Sequence, residues 1–269
     1  MKKDYHMHPT VVQDPERFDR FAATAIERGI DEVCITDHMP LIDNTSKDRI
    51  PHGKIEEYCE KVHEIQEKYK GRLSVKLGIE IDFHPSVMDQ IEAVLNHNQF
   101  DYVLGSSHLH SIKSLDIFAQ NLNKDDYAEA MLKNSILAAE SGYFDTISHI
   151  DMYKWVFITK NYTEKETVLH EERHLETIER VLDAIKKNNM FLEMNVHFAA
   201  NTDNVKNIYP SEIIMKEALK KGVNFAYGSD SHRHDHVGIL LDYLHENEPY
   251  QSAIENWESD NRDKNNRLR

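Results

Sequence analysis

The sequence predicts an α/β barrel of parallel strands with a metal cluster in its mouth, and three observations carry that prediction. Short apolar runs alternate with amphipathic stretches along most of the chain, and strand then helix, repeated, implies a parallel sheet. Six of those runs close on a metal-ligand residue, at His8, His38, His108, His149, His197 and the Asp230–His232 segment, while a seventh carries Glu80 near its end. Ligands scattered in sequence but shared by strand ends meet in one cavity only if the strands are parallel neighbours. The length of 269 residues suits one barrel domain over 1–269, with a polar tail from about residue 250.

The first strand is expected over Asp4 to His8, where His6 and His8 lie two apart and share one face. Phe18, Phe21, Ala22, Ala25 and Ile26 then recur at helical spacing after the start signal Asp14-Pro15. The apolar run Val33-Cys34-Ile35 sets a second strand, Glu32 to His38, and an irregular stretch follows from Pro40 to Pro51. A charged helix fits Lys54 to Tyr69. The third strand, Ser74 to Phe83, places Glu80 after Val75, Leu77 and Ile79. A buried carboxylate there must be paired or metal-bound, and a bridge between two cations satisfies it.

Val87, Ile91, Val94 and Leu95 form the next helical face, and the fourth strand runs from Tyr102 to His108. Leu109 to Asp125 reads as a second irregular stretch, which with Pro40 to Pro51 should ring the site mouth. Helices then fit Asp126 to Glu140, Glu166 to Lys187 and, started by Pro210-Ser211, the segment to Lys221. Between and after them lie strands over Asp145–Asp151, Phe191–His197 and Asn224–Asp230. Beyond Tyr250 a last helix and a loose tail are expected.

The hydrophobic fraction of 40% is that of a soluble globular protein, and no apolar run approaches the roughly 20 residues needed to span a bilayer. The N-terminus shows no signal-peptide pattern, and two cysteines, Cys34 and Cys59, make no disulfide framework, so a cytoplasmic location is expected. A net charge of -15 with no basic stripe argues against a nucleic-acid partner. A small anionic substrate remains compatible, since cations and a few basic side chains can capture it locally. Nothing in the sequence defines an oligomeric state. Imidazoles mixed with carboxylates, and no cysteine among them, favour a catalytic centre open to Zn, Fe or Mn over a structural zinc. Asp37 and Asp151 stand beside ligands and are candidates to orient an imidazole.

Gly78-Ile79-Glu80-Ile81-Asp82-Phe83, the run Phe100 to His108, Leu192-Glu193-Met194-Asn195, Tyr209-Pro210-Ser211 and Gly228-Ser229-Asp230-Ser231-His232 together resemble the polymerase and histidinol phosphatase (PHP) superfamily, and within it the histidinol-phosphate phosphatases. The resemblance covers Asp4 to about Asp242. It implies a distorted seven-stranded TIM-like (β/α)7 barrel with three divalent ions. By that analogy His6, His8, Glu80 and Asp230 hold one ion, Glu80, His108 and His149 a second, and His38 and His232 a third, with Asp14 a further candidate ligand of that third ion, at a place where relatives commonly carry histidine.

The implied activity is hydrolysis of a phosphate monoester, L-histidinol phosphate first, or another small phosphoester or nucleotide as the alternative. Glu80 and Asp230 are the expected catalytic carboxylates. Lys154, where relatives often carry arginine, is a candidate for phosphate together with Arg233, and His197 is a candidate proton donor or substrate contact.

Overall fold

Seven parallel strands lie in one sheet in strict chain order, which is what a chain that returns after every strand through an outer helix must give. The computed structural model describes residues 1–42, 49–158 and 171–260. The strands are β1 Lys3–Asp4, β2 Glu32–Ile35, β3 Ser74–Asp82, β4 Tyr102–Ser106, β5 Thr146–Ile147, β6 Phe191–Asn195 and β7 Asn224–Gly228. The two edges then meet. The Tyr5 N–H donates to the Tyr227 carbonyl at 3.1 Å, His8 N–H to Ser231 at 2.9 Å, and Met7 bridges Ser231 in parallel, so the sheet curls into a nearly closed barrel.

Helices α1 Arg17–Glu27, α2 Ile55–Tyr69, α3 Met88–His97, α4 Lys113–Ala119, α5 Lys124–Ser141, α6 Tyr153–Ile158, α7 Leu175–Lys187, α8 His197–Thr202, α9 Glu212–Lys221, α10 Leu241–Glu246 and α11 Tyr250–Ser259 surround it. In α1 the buried residues are Phe18, Phe21, Ala22 and Ala25, one stripe at the spacing that turns a single face inward. The Asn123 side chain accepts the Asp126 N–H at 3.0 Å to start α5, and Ser211 caps α9 through the Ile214 N–H at 3.5 Å. Among the described residues no helix is long and apolar enough to cross a membrane.

All seven expected strands form, each shorter at its C-terminal end than the apolar run suggests. The ladder stops where the chain turns ligands into the barrel mouth: His149 has φ +23° and Asp230 φ +49°, backbone no strand can contain. The stretch Leu109 to Asp125, expected to be irregular, contains α4. Residues 43–48, 166–170 and 261–269, which belong to the expected irregular stretch, helix and tail, lie outside the described residues.

Candidate metal centre

Glu80, fully buried near the end of β3, is the hub on which the strand ends converge. Its Oε2 lies 3.2 Å from His6 Nε2, 3.3 Å from His8 Nε2 and 2.9 Å from His38 Nδ1, while Oε1 faces His149 Nε2 at 3.3 Å. Asp230 completes the near side at 3.2 Å from His8 Nε2 and 3.7 Å from His6 Nε2. His8 is stacked between His38 and His232, with ring centroids at 4.3 and 4.4 Å, and His108 stacks on His149 at 4.6 Å.

Imidazoles packed face to face around two carboxylates are poorly served by protein partners alone. Among the described residues no hydrogen-bond partner meets His6 Nε2, either ring nitrogen of His8, His38 Nδ1, His149 Nδ1 or Glu80 Oε2, although all are buried. Orphaned donor atoms this close are costly unless a cation satisfies them. Five groups have ligand atoms within 4.8 Å of one another: His6, His8 and Glu80; Glu80, His108 and His149; His8, His38 and His232; His38, Asp82 and His108; and His197, Asp230 and His232. The donor set therefore fits divalent cations.

The electrostatics agree. Burial opposes charge on His8, yet Asp230 and Glu80 push it up to about 9. Burial would raise Glu80, but His38 and His6 hold it well below the carboxylate range, and His6, His197 and His8 do the same for Asp230. His232, partly buried and facing His8, falls to about 3, because desolvation and the neighbouring His8 both disfavour its charge. The side chains of the centre thus combine anionic carboxylates with imidazoles of divided charge, an arrangement that cations would relieve.

Several expected site residues are placed elsewhere. Asp14 is half-exposed at the turn before α1, where it accepts the Arg17 N–H at 3.1 Å and faces Arg20 at 3.8 Å, and it joins no ligand group. Lys154, 3% exposed on the first turn of α6, is held by Asp151 at 2.6 Å, with Glu171 at 3.9 Å and the Tyr209 ring 5.1 Å below, so its ammonium is committed to these groups. Arg233 is two-thirds exposed and forks onto Asp235 at 3.0 and 2.6 Å. Asp37 accepts the Thr10 and Val11 N–H groups at 2.8 and 3.0 Å, and Asp151 accepts from Lys154 and the Ser211 N–H, so each pins a loop and neither orients an imidazole.

His197 does reach the centre. Its Nδ1, 2.7 Å from the Asp230 carbonyl oxygen, must carry the proton, and Asn201 Nδ2 donates to Nε2 at 2.8 Å. That commits the ring to steadying the Asp230 turn.

Four residues beyond the expected set shape the site. Asp82 lies 2.6 Å from His108 Nδ1 and pairs with buried Arg49. Arg17 donates to the His232 carbonyl oxygen. Glu193 in β6 lies 2.5 Å from His6 Nδ1. Glu193 showed the signal that singled out Glu80, an acid in an apolar strand, whereas Arg49 and Arg17 reach the site through loops and a helix that carry no local mark.

The PHP domain family model matches residues 4–197. A Deinococcus radiodurans protein named "Probable histidinol-phosphatase" is 29% identical over 249 residues, covering 88% of each chain. The fold is shared with a Listeria monocytogenes crystal structure titled "putative histidinol phosphatase hisK", at TM-score 0.76 and 22% identity over 90% of this chain and all of that one. It is also shared with the Lactococcus lactis histidinol phosphate phosphatase complexed with zinc, L-histidinol and phosphate, at TM-score 0.69 and 18% identity over 87% of each chain.

Proposed function

The chain belongs to the PHP domain family, and on that premise we propose that it is a metal-dependent phosphomonoesterase that hydrolyses L-histidinol phosphate to L-histidinol and phosphate. The observation that carries the proposal is Glu80 set among four imidazoles, with His6 Nε2, both ring nitrogens of His8, His38 Nδ1 and His149 Nδ1 buried without a hydrogen-bond partner. The relatives named for this activity, and the one solved with zinc, L-histidinol and phosphate, supply the substrate.

Three divalent ions, Zn, Fe or Mn, are proposed: one held by His6, His8, Glu80 and Asp230, a second by Glu80, His108 and His149, and a third by His38 and His232. Divalent cations supply Lewis acidity toward phosphoryl oxygens and acidify water near neutral pH. Glu80 offers one carboxylate oxygen to each of two groups, which suits a bridge, and the buried walls keep bulk water from screening the charges of Glu80 and Asp230. His197 holds the left-handed turn at Asp230, so that carboxylate stays aimed at His6 and His8. The whole of 1–269 is proposed to be one domain working in the cytoplasm on a small phosphorylated substrate, without nucleic acid.

A second reading, another small phosphoester or a nucleotide, draws on one observation: Lys154 is committed to Asp151. A phosphate-release screen over a panel of phosphomonoesters tests both, with chelated protein reloaded by individual metals. Histidinol phosphate is expected to give the highest kcat/KM, and Glu80→Gln to abolish turnover. Equal turnover in Glu80→Gln with metal still bound would remove the mechanism, and a better ester would replace the substrate.

A further inference from the structure

We infer that Glu193 is a positioning residue that fixes the proton on His6 Nδ1 and so keeps Nε2 open to a metal; the inference rests on the metal centre proposed above. Glu193 is 1% exposed and His6 fully buried, so neither can exchange its partner for water. Oε1 of Glu193 lies 2.5 Å from His6 Nδ1. An ionised carboxylate only accepts, so the ring nitrogen facing it carries the hydrogen. The other nitrogen, Nε2, is the one turned toward Glu80 and Asp230.

The second oxygen is equally committed. Oε2 accepts the His149 N–H at 3.0 Å, holding that ligand in its left-handed backbone, and accepts from Asn195 Nδ2 at 3.1 Å. The orientation of Asn195 is set by its own Oδ1, which accepts the His197 N–H at 3.0 Å, so its amide hydrogens must face the carboxylates of Glu193 and Asp230. Glu193 thereby braces the ligands that follow β1 and β5 directly, and through Asn195 the one that follows β7. Gly228 makes room for it, because a Cβ there would collide with Glu193 Oε1 and with the Cβ of His6.

This wiring makes Glu193→Gln a directional test. Two donors, the His149 N–H and the Asn195 amide, oblige the glutamine carbonyl to face them. Its NH2 must then face His6 Nδ1, and the imidazole proton moves to Nε2, where it blocks the metal. Glu193→Asp keeps acceptor-only chemistry.

Zinc affinity and stoichiometry are measured by calorimetry and metal analysis, with the folded state checked by circular dichroism. Glu193→Gln is expected to lose at least about 10-fold in affinity at one site, the range seen when such outer partners are removed, and Glu193→Asp to bind more tightly than Glu193→Gln. Long-range nitrogen-15 spectra of the zinc-loaded wild type should show His6 protonated at Nδ1, a readout that stands even if a variant fails to fold. Wild-type zinc binding by Glu193→Gln, equal losses in the two variants, or a His6 proton at Nε2 would overturn the inference. A wild type that binds no zinc would instead overturn the metal centre itself.

Discussion

Replacing Arg49 by methionine should cost the fold more than any loss at the protein surface. Arg49 is 4% exposed and pairs with Asp82 Oδ2, while its Nη1 donates to the Met39 carbonyl at 3.2 Å. Burial would raise the Asp82 carboxyl, but Arg49 and His108 hold it far below its ordinary range. Without the guanidinium, Asp82 keeps Ser106 Oγ at 3.1 Å and His108 Nδ1 at 2.6 Å but loses its permanent cation. Stranding one member of a buried pair costs about 3–5 kcal/mol. At roughly 2–4 °C per kcal/mol for a chain of this size, the melting temperature should fall on the order of 10 °C.

The assay is thermal denaturation of Arg49→Met, Asp82→Asn and the double variant, all in chelator. The cycle should return a coupling of about 1–3 kcal/mol, as for contacting residues in one network. Because the folded pKa of Asp82 is depressed, its contribution is present above the unfolded value of about 3.9 and is lost as pH falls below it toward the folded one. Arg49→Met should flatten that acid limb. A melt within about a degree of wild type, or strictly additive losses, would refute the reasoning.

Glu171, pushed up to about 7 by burial against the pull of Lys154, contributes stability that is full below the unfolded value and lost as pH rises through 7. Wild-type stability should therefore drop by at most about 3 kcal/mol between pH 5 and pH 8, and Glu171→Gln, followed by urea titration, should lack that drop. Lys154→Met leaves Asp151 and Glu171 buried without their cation, so it should cost about 3–5 kcal/mol in denaturant melts, whatever its effect on KM. Asp14→Ala should leave zinc content unchanged by metal analysis and stability within about 1 kcal/mol, the worth of one exposed hydrogen bond. Zinc at a thousandfold its Kd should raise stability by about 4 kcal/mol over chelated protein, read as a shift in melting temperature. At a fixed zinc concentration that gain should shrink as pH falls below about 9, because a proton on His8 competes with the metal.

The barrel was legible because each strand is an apolar run closed by a residue that apolar runs do not tolerate. Glu80 after Val75, Leu77 and Ile79, and His108 after the run from Tyr102, mark both the strand and the end that bears chemistry. Side-chain destinations set by turns were not legible. Asp14, Lys154 and Arg233 are charged residues near ligands in sequence, but Asp14 is turned to the start of α1, Lys154 is caught by Asp151 three residues earlier, and Arg233 by Asp235 two residues later. Arg49 shows the converse, a buried partner delivered by a connection with no periodicity to read. Helix α4 went unseen because the stretch from Leu109 to Asp125 is short and mixed in polarity, so propensity alone had to carry it.

The seam where Tyr5 and His8 bond to Tyr227 and Ser231 joins chain positions more than two hundred residues apart. His6 and His8 lie on one lip of that seam and Asp230 and His232 on the other, so an ion held by the proposed ligands of both lips would act as a clasp on the whole cylinder. A nascent chain can hold no such clasp until its final strand has been made and laid against its first. Capture of an ion by the proposed ligands would therefore mark completion, and its removal would loosen the barrel where its two ends are stitched.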